Sequence, residues 1–219
     1  MAGVAILIAA CGGNTSTTTQ VSEKQEVAEK QGEVFVADTA TSQVSWQGTH
    51  KGGLAPRWGK LSVGSGEVAV ANGEITGGDF VIDMQSLQVD PASVTEADKK
   101  PEELEAHLKS PDFFHVEKHK DAKFEITAVT DLDTADVTEG AIEGANKLVK
   151  GNLTLKDSTL NVTFPAKIDI QANKVAVKAK FTVSRVDWGL QFGTSEMDPA
   201  DWIISKEIEI GVDLEASKK

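Results

Sequence analysis

In Lys174-Val175-Ala176-Val177-Lys178-Ala179-Lys180-Phe181-Thr182-Val183-Ser184, the side chains of Val175, Val177, Ala179, Phe181 and Val183 fall on one face. Lys174, Lys178, Lys180 and Thr182 fall on the other. This period of two is the pleat of a half-buried antiparallel strand; a helix would repeat its faces every 3.6 residues. The same alternation sets Ile208, Ile210, Val212 and Leu214 against Glu207, Glu209, Asp213 and Glu215, and it recurs at Leu160, Val162 and Phe164 and at Phe124 and Ile126. Lys156-Asp157-Ser158, Ala172-Asn173, Ala71-Asn72-Gly73 and Gly77-Gly78 supply turn chemistry between runs. Strands joined by short turns give an up-and-down antiparallel sheet rather than βαβ units. With at least eight such runs, closure into a barrel removes the sheet edges. A two-sheet sandwich has nearly the same periodicity, so spacing leaves both open.

One helix breaks the pattern. Pro101 suits a first helical position, Glu102 and Glu103 favour the positive end of the helix dipole, and Ser110-Pro111 stops the run. Leu104 and Leu108 share a face at i, i+4. That single narrow stripe can lie against a barrel mouth but cannot form a core element. Phe113 and Phe114 follow directly, placed to plug or line the mouth.

A chain of 219 residues is long enough for one well-buried domain. Its formal net charge of -12 argues against nucleic acid as a partner, because phosphate binding needs clustered Lys and Arg. It equally disfavours broad docking on anionic lipid. The single cysteine, Cys11, rules out an intrachain disulfide. Leu7-Ile8-Ala9-Ala10-Cys11 reads as a lipobox, so residues 1–10 are expected to be a truncated lipoprotein signal peptide and Cys11 the acylated residue. Residues 14–20 are almost all Thr, Ser and Asn, and residues 21–33 are mostly Glu, Lys and Gln. The stretch 11–33 is therefore expected to be a lipidated cysteine on a flexible polar linker. Residues 34–219 form the expected barrel domain.

Constellations that could carry chemistry are sparse. His115 and His119 have chelating spacing if helical, but two ligands do not make a metal site, and no reason emerges for His50 or His107 to join them. Asp131, Asp133, Asp136 and Glu139 share one loop without the EF-hand spacing or its glycine. No nucleophile elbow, catalytic triad or phosphate-cradling glycine loop is present, so the chain reads as a binding protein, not an enzyme, with no cofactor.

Three blocks occur in a fixed order. The first is Leu104-Glu105-Ala106-His107-Leu108-Lys109-Ser110-Pro111-Asp112-Phe113-Phe114 followed by Ala122-Lys123-Phe124-Glu125-Ile126. The second is Val149-Lys150-Gly151-Asn152-Leu153-Thr154-Leu155 and the third is Ser184-Arg185-Val186-Asp187-Trp188-Gly189. Together they resemble the YceI-like family of polyisoprenoid-binding, lipocalin-like bacterial proteins. The resemblance spans residues 34–214 and selects the barrel over the sandwich. It implies an all-β, antiparallel up-and-down barrel with one short helix near its mouth, holding a long isoprenoid chain such as a quinone or polyprenyl tail. The expected tunnel residues are Trp46, Phe80, Phe113, Phe114, Phe124, Val177, Phe181, Arg185 and Trp188. Arg185 follows the inward parity of Phe181 and Val183, and a buried guanidinium must be paired, either as a latch between strand and loop or with a lipid head group. Burying several hundred Å² of hydrocarbon contributes on the order of 10 kcal/mol before association costs. The expected partners are thus an isoprenoid or quinone-like lipid and, through the acyl anchor, the membrane; a homodimer is compatible with the sequence. The expected location is the bacterial envelope, as a periplasmic or outer-membrane lipoprotein. A ligand-free envelope scaffold and a metal-dependent hydrolase are the rival readings. The segment 95–100 and the loop His50-Lys51-Gly52-Gly53 are expected to reshape the mouth.

Overall fold

The computed structural model describes residues 19–133, 140–199 and 201–219. The leader, Cys11 and two of the loop carboxylates, Asp136 and Glu139, lie outside the described residues. Among the described residues the strands are β1 (Val21–Glu23), β2 (Glu33–Ala37), β3 (Gln43–His50), β4 (Arg57–Ala71), β5 (Glu74–Val89), β6 (Asp121–Asp131), β7 (Lys147–Leu155), β8 (Ser158–Ile170), β9 (Lys174–Ser184) and β10 (Ile204–Lys218). The helix α1 (Pro101–Lys109) lies between β5 and β6, with Pro101 in its first turn as its sequence demands.

From β3 to β10 each strand pairs antiparallel with its successor. β10 then returns to β3, so that Ile210 stands opposite Phe181 on one side and Trp46 on the other. That last pairing closes an eight-stranded barrel, which a sandwich would leave as two sheets. β2 takes over β3's place at the end remote from α1, pairing with both β4 and β10. The chain changes level between them in a turn where the Asp38 carbonyl accepts from Ser42 N at 2.9 Å.

Asn72 and Gly73 both take left-handed φ, 54° and 79°, the requirement of a two-residue turn whose twist matches the strands it joins. Gly77 and Gly78, expected from the sequence to divide strands, instead sit inside β5. The physical reason is close approach: a Cβ on Gly77 would lie 2.8 Å from Ala28 O, and one on Gly78 would lie 2.7 Å from Glu67 O.

The expected flexible linker is also corrected for its described part. Thr19 N donates to Thr182 O at 2.7 Å, and β1 pairs with β8 where β8 has parted from β9. Gln25 and Asn152 then exchange two hydrogen bonds, of 3.0 and 2.8 Å. Ala28 N donates to Ile126 O beyond the last β5–β6 pair, and Lys30 bridges Glu67 and Asp79. Few apolar side chains are needed for this, because the strap is ordered by backbone and amide hydrogen bonds that complete the wall. It also explains why Asn152, Asn161 and Thr182 are buried although they point outward.

The outer face carries cross-strand ion pairs, Lys174–Glu215 at 2.7 Å, Lys178–Asp213 at 3.0 Å and Lys180–Glu209 at 2.9 Å. The wall thus presents charge outward and hydrocarbon inward, the reverse of a barrel set in lipid. At the end remote from α1, buried Ala37, Val70, Val175 and Ala216 form a packed floor.

Candidate functional site: the barrel lumen

Above that floor the barrel is hollow. The cavity offers ≈ 300 Å³ to the centre of a water-sized sphere. All nine residues picked out from the sequence, Trp46, Phe80, Phe113, Phe114, Phe124, Val177, Phe181, Arg185 and Trp188, stand on its wall. β9's 11 residues, rising about 3.3 Å each at a tilt near 40°, make a wall roughly 28 Å high. That is close to the hydrocarbon thickness of a bilayer, about 30 Å.

The aromatic residues do not fill this space, and inward-facing glycines are the reason. A Cβ on Gly66 would lie 2.2 Å from the Phe80 ring, one on Gly151 2.2 Å from the Phe124 ring, and one on Gly59 2.9 Å from the Trp46 ring. Gly66 is directly opposite Phe80 and Gly59 opposite Trp46, so each ring lies over its cross-strand glycine, flat to the wall. Phe164 and Phe181 stack with centroids 4.1 Å apart and planes 7° from parallel, with Phe124 tilted against Phe164 at 5.8 Å.

The third sequence block builds a latch at the helix end. Arg185 to Trp188 form a 3-10 turn that ends on Gly189, whose φ of 78° favours a residue without Cβ. Arg185 is 2% exposed and donates to four carbonyls: Ser205 O at 2.8 Å, Phe192 O at 2.9 Å, Ile204 O at 3.2 Å and Leu190 O. Burial pulls its pKa down, and no carboxylate of the described residues pairs with it. Of its two expected roles the geometry fills the latch, tying β9 to the start of β10. Trp188, fully buried, donates Nε1 to Leu153 O at 3.0 Å and pins the turn to β7.

α1 lies over the same end. Glu105 accepts from Val89 N at 3.3 Å and holds Lys109 at 2.8 Å, so the helix is tied to the end of β5 with Leu104 and Leu108 on the cavity. His107, not among the expected lining residues, also stands there, edge-on to Phe113 at 5.2 Å and Phe192 at 4.8 Å. Its Nε2 and the Nε1 of Trp46 are buried without a hydrogen-bond partner; Asp112, 3.8 Å from the former, is beyond bonding distance. At the same end Arg57 grips Glu96 through both carboxylate oxygens, at 2.5 and 2.7 Å, and donates to Ser93 O at 2.7 Å. Glu96 is held at a pKa of about 2 by its own backbone hydrogen bond first and by Arg57 second. The segment 95–100 thereby clamps the β3–β4 loop at the mouth.

His115 and His119 do not form the helical pair that chelation would need. His115 has a φ of 49°, the rings are edge-on with centroids 5.9 Å apart, and burial lowers the His119 pKa. No grouping of three potential metal ligands occurs among the described residues.

Charged without, apolar within and capped by a single helix, the molecule is a lipocalin-like barrel. More narrowly, the chain belongs to the YceI-like family, whose domain matches residues 35–216. A UPF0312 protein of Serratia proteamaculans (strain 568) is 30% identical over 148 residues, covering 63% of this chain and 68% of its own. Two solved structures share the fold. A polyisoprenoid binding domain from Saccharophagus degradans has a TM-score of 0.57 at 16% identity, over 86% of this chain and 100% of that one. BcnA from Burkholderia cenocepacia also has a TM-score of 0.57, at 20% identity over 82% of this chain and 99% of its own.

Proposed function

We propose that the barrel binds an isoprenoid-type lipid, a polyprenyl or quinone tail, and serves as a carrier or store for it in the bacterial envelope. The observation that carries this reading is the hollow apolar lumen beneath α1, kept open by aromatic rings lying over glycines. The Saccharophagus degradans neighbour, described as a polyisoprenoid binding domain, supports the same class of ligand. Removing hydrocarbon from water contributes about 25 cal/mol per Å², so apolar walls suffice to hold a long chain. Trp46 Nε1 and His107 Nε2 lie at the wall where a lipid oxygen would restore a missing hydrogen bond. In this reading Cys11 is acylated and holds the domain to a membrane, where two or three chains bind stably and one is marginal.

Protein purified from its own host, extracted with organic solvent and analysed by mass spectrometry, is expected to release a discrete isoprenoid lipid in near-stoichiometric amount. Release of no lipid, together with failure to take up detergent-solubilised polyprenol, would replace this reading with that of an envelope scaffold. The anchor is tested separately by detergent partitioning. The form with its native leader should enter the detergent phase and Cys11→Ser the aqueous phase.

A further inference from the structure

Four large apolar side chains are left in solvent around the mouth: Leu54 at 55%, Phe192 at 41%, Met197 at 96% and Trp202 at 69% exposure. They belong to two loops, β3–β4 and β9–β10, which the backbone joins: Lys51 N donates to Ile203 O at 2.8 Å, and His50 Nδ1 meets Asp201 O. The loops also rim the lumen, through Ala55 of one and Leu190 of the other, with His50 at the end of β3 beside them. Phe192 closes the ring toward α1, 5.1 Å from Phe113.

We infer that this lip is a membrane-docking surface that seats the barrel mouth on a bilayer of zwitterionic lipid. The inference rests on the lipid-carrying reading, and three further observations point to a bilayer. The first is continuity. The exposed side chains extend the lumen's apolar surface outward, so a hydrocarbon chain leaving a bilayer at this mouth need not cross water. Trp202, exposed on the same lip as Met197 and Leu54, suits the interfacial zone, where an indole buries its rings and keeps its N–H wet.

The second is charge. Lys51 is paired with Glu196 at 2.6 Å and Arg57 with Glu96, while Asp198 and Asp201 stand on the same loop. Lys51 and Arg57 each already hold a carboxylate, and the chain carries -12 overall, so attraction to anionic head groups is not what holds the lip. The third is reach. Thr19 is fastened to Thr182, two residues before β9 ends and the lip's longer loop begins. The eight residues from Cys11 to Thr19 span at most about 28 Å, which keeps the mouth close to any bilayer that holds Cys11.

The test uses the full chain carrying Cys11→Ser, so that no acyl anchor contributes, in flotation with phosphatidylcholine vesicles. It is expected to float with the vesicles, and Leu54→Glu/Trp202→Glu is expected to weaken binding at least about tenfold. The melting temperature and the uptake of polyprenol from detergent should stay unchanged. Absence of the native lip from phosphatidylcholine vesicles, binding that needs phosphatidylglycerol, or binding that survives the double substitution would each overturn the docking surface. Loss of vesicle binding in the double variant, in a barrel that never takes up polyprenol, would sustain docking and overturn the lipid-carrying reading alone.

Discussion

Val177→Trp separates a hollow barrel from a solid one. Val177 stands on the lumen wall between Ile168 of β8 and Leu214 of β10, just above Val175 of the floor. In a filled core the larger ring would force its neighbours aside, at about 1–3 kcal/mol. For a domain of this size that lowers the melting temperature by roughly 2–10 °C. In the hollow lumen the ring instead covers on the order of 100 Å² of apolar wall, which at about 25 cal/mol per Å² offsets its own ordering. The expected outcome is a melting temperature within about 2 °C of the parent and loss of polyprenol uptake. Lys178→Ala, one residue along and facing out, removes only an exposed pair with Asp213 and should change neither. Uptake should be measured by extraction and mass spectrometry, and stability by thermal unfolding of the ligand-free protein. A fall of several degrees in Val177→Trp, or full uptake despite the ring, would refute the hollow-lumen argument.

Arg185→Met should destabilise the domain by about 3 kcal/mol in denaturant unfolding, because four carbonyls lose their common donor in a buried place. A loss below about 1 kcal/mol would mean the latch is replaceable by packing. Gly151→Ala should cost about 1–3 kcal/mol because its Cβ meets the Phe124 ring, and in Gly151→Ala/Phe124→Ala that added cost should vanish. Additive losses in the double variant would exclude the ring-over-glycine contact. Glu96 is ionised down to a folded pKa of about 2, below its ordinary 4.5, so its clamp on Arg57 is fully present above pH 4.5 and is lost as pH falls toward 2. The melting-temperature gap between the parent and Glu96→Gln should be constant above about pH 5 and close near pH 2; a gap that persists at pH 2 would show that carboxylate ionisation is not its source.

Much of the wall was legible because the pleat is a local property. The alternation in β9 and β10 assigns inward and outward faces residue by residue, and the pairing keeps that assignment, with Val177 opposite Leu214 and Phe181 opposite Ile210. The helix was legible for a similar reason: Pro101, Glu102, Glu103 and Ser110-Pro111 act within a turn of the chain. Parity failed where the ladder slips. In β5 the buried series runs through Phe80 and Met84, then shifts to Leu87 and Val89. There Ser86 Oγ accepts from Ser62 N at 2.8 Å, a cross-strand contact that one strand's sequence does not announce.

Composition misled at the strap. Residues 20–33 have too little apolar surface to order themselves, and that remains true of the segment alone. It is ordered by carbonyls and amides exposed where β5 parts from β6 and β8 from β9, so the information lies in strands far along the chain. The closed barrel, the latch carbonyls around Arg185 and the joining of the β3–β4 and β9–β10 loops are likewise products of tertiary pairing. The sequence by itself determined which faces are apolar, where the chain turns and which family it resembles, since these follow from neighbours within a few residues. Whether the apolar faces meet around a space or fill it was decided only in three dimensions, because a glycine on one strand makes room for a ring from another.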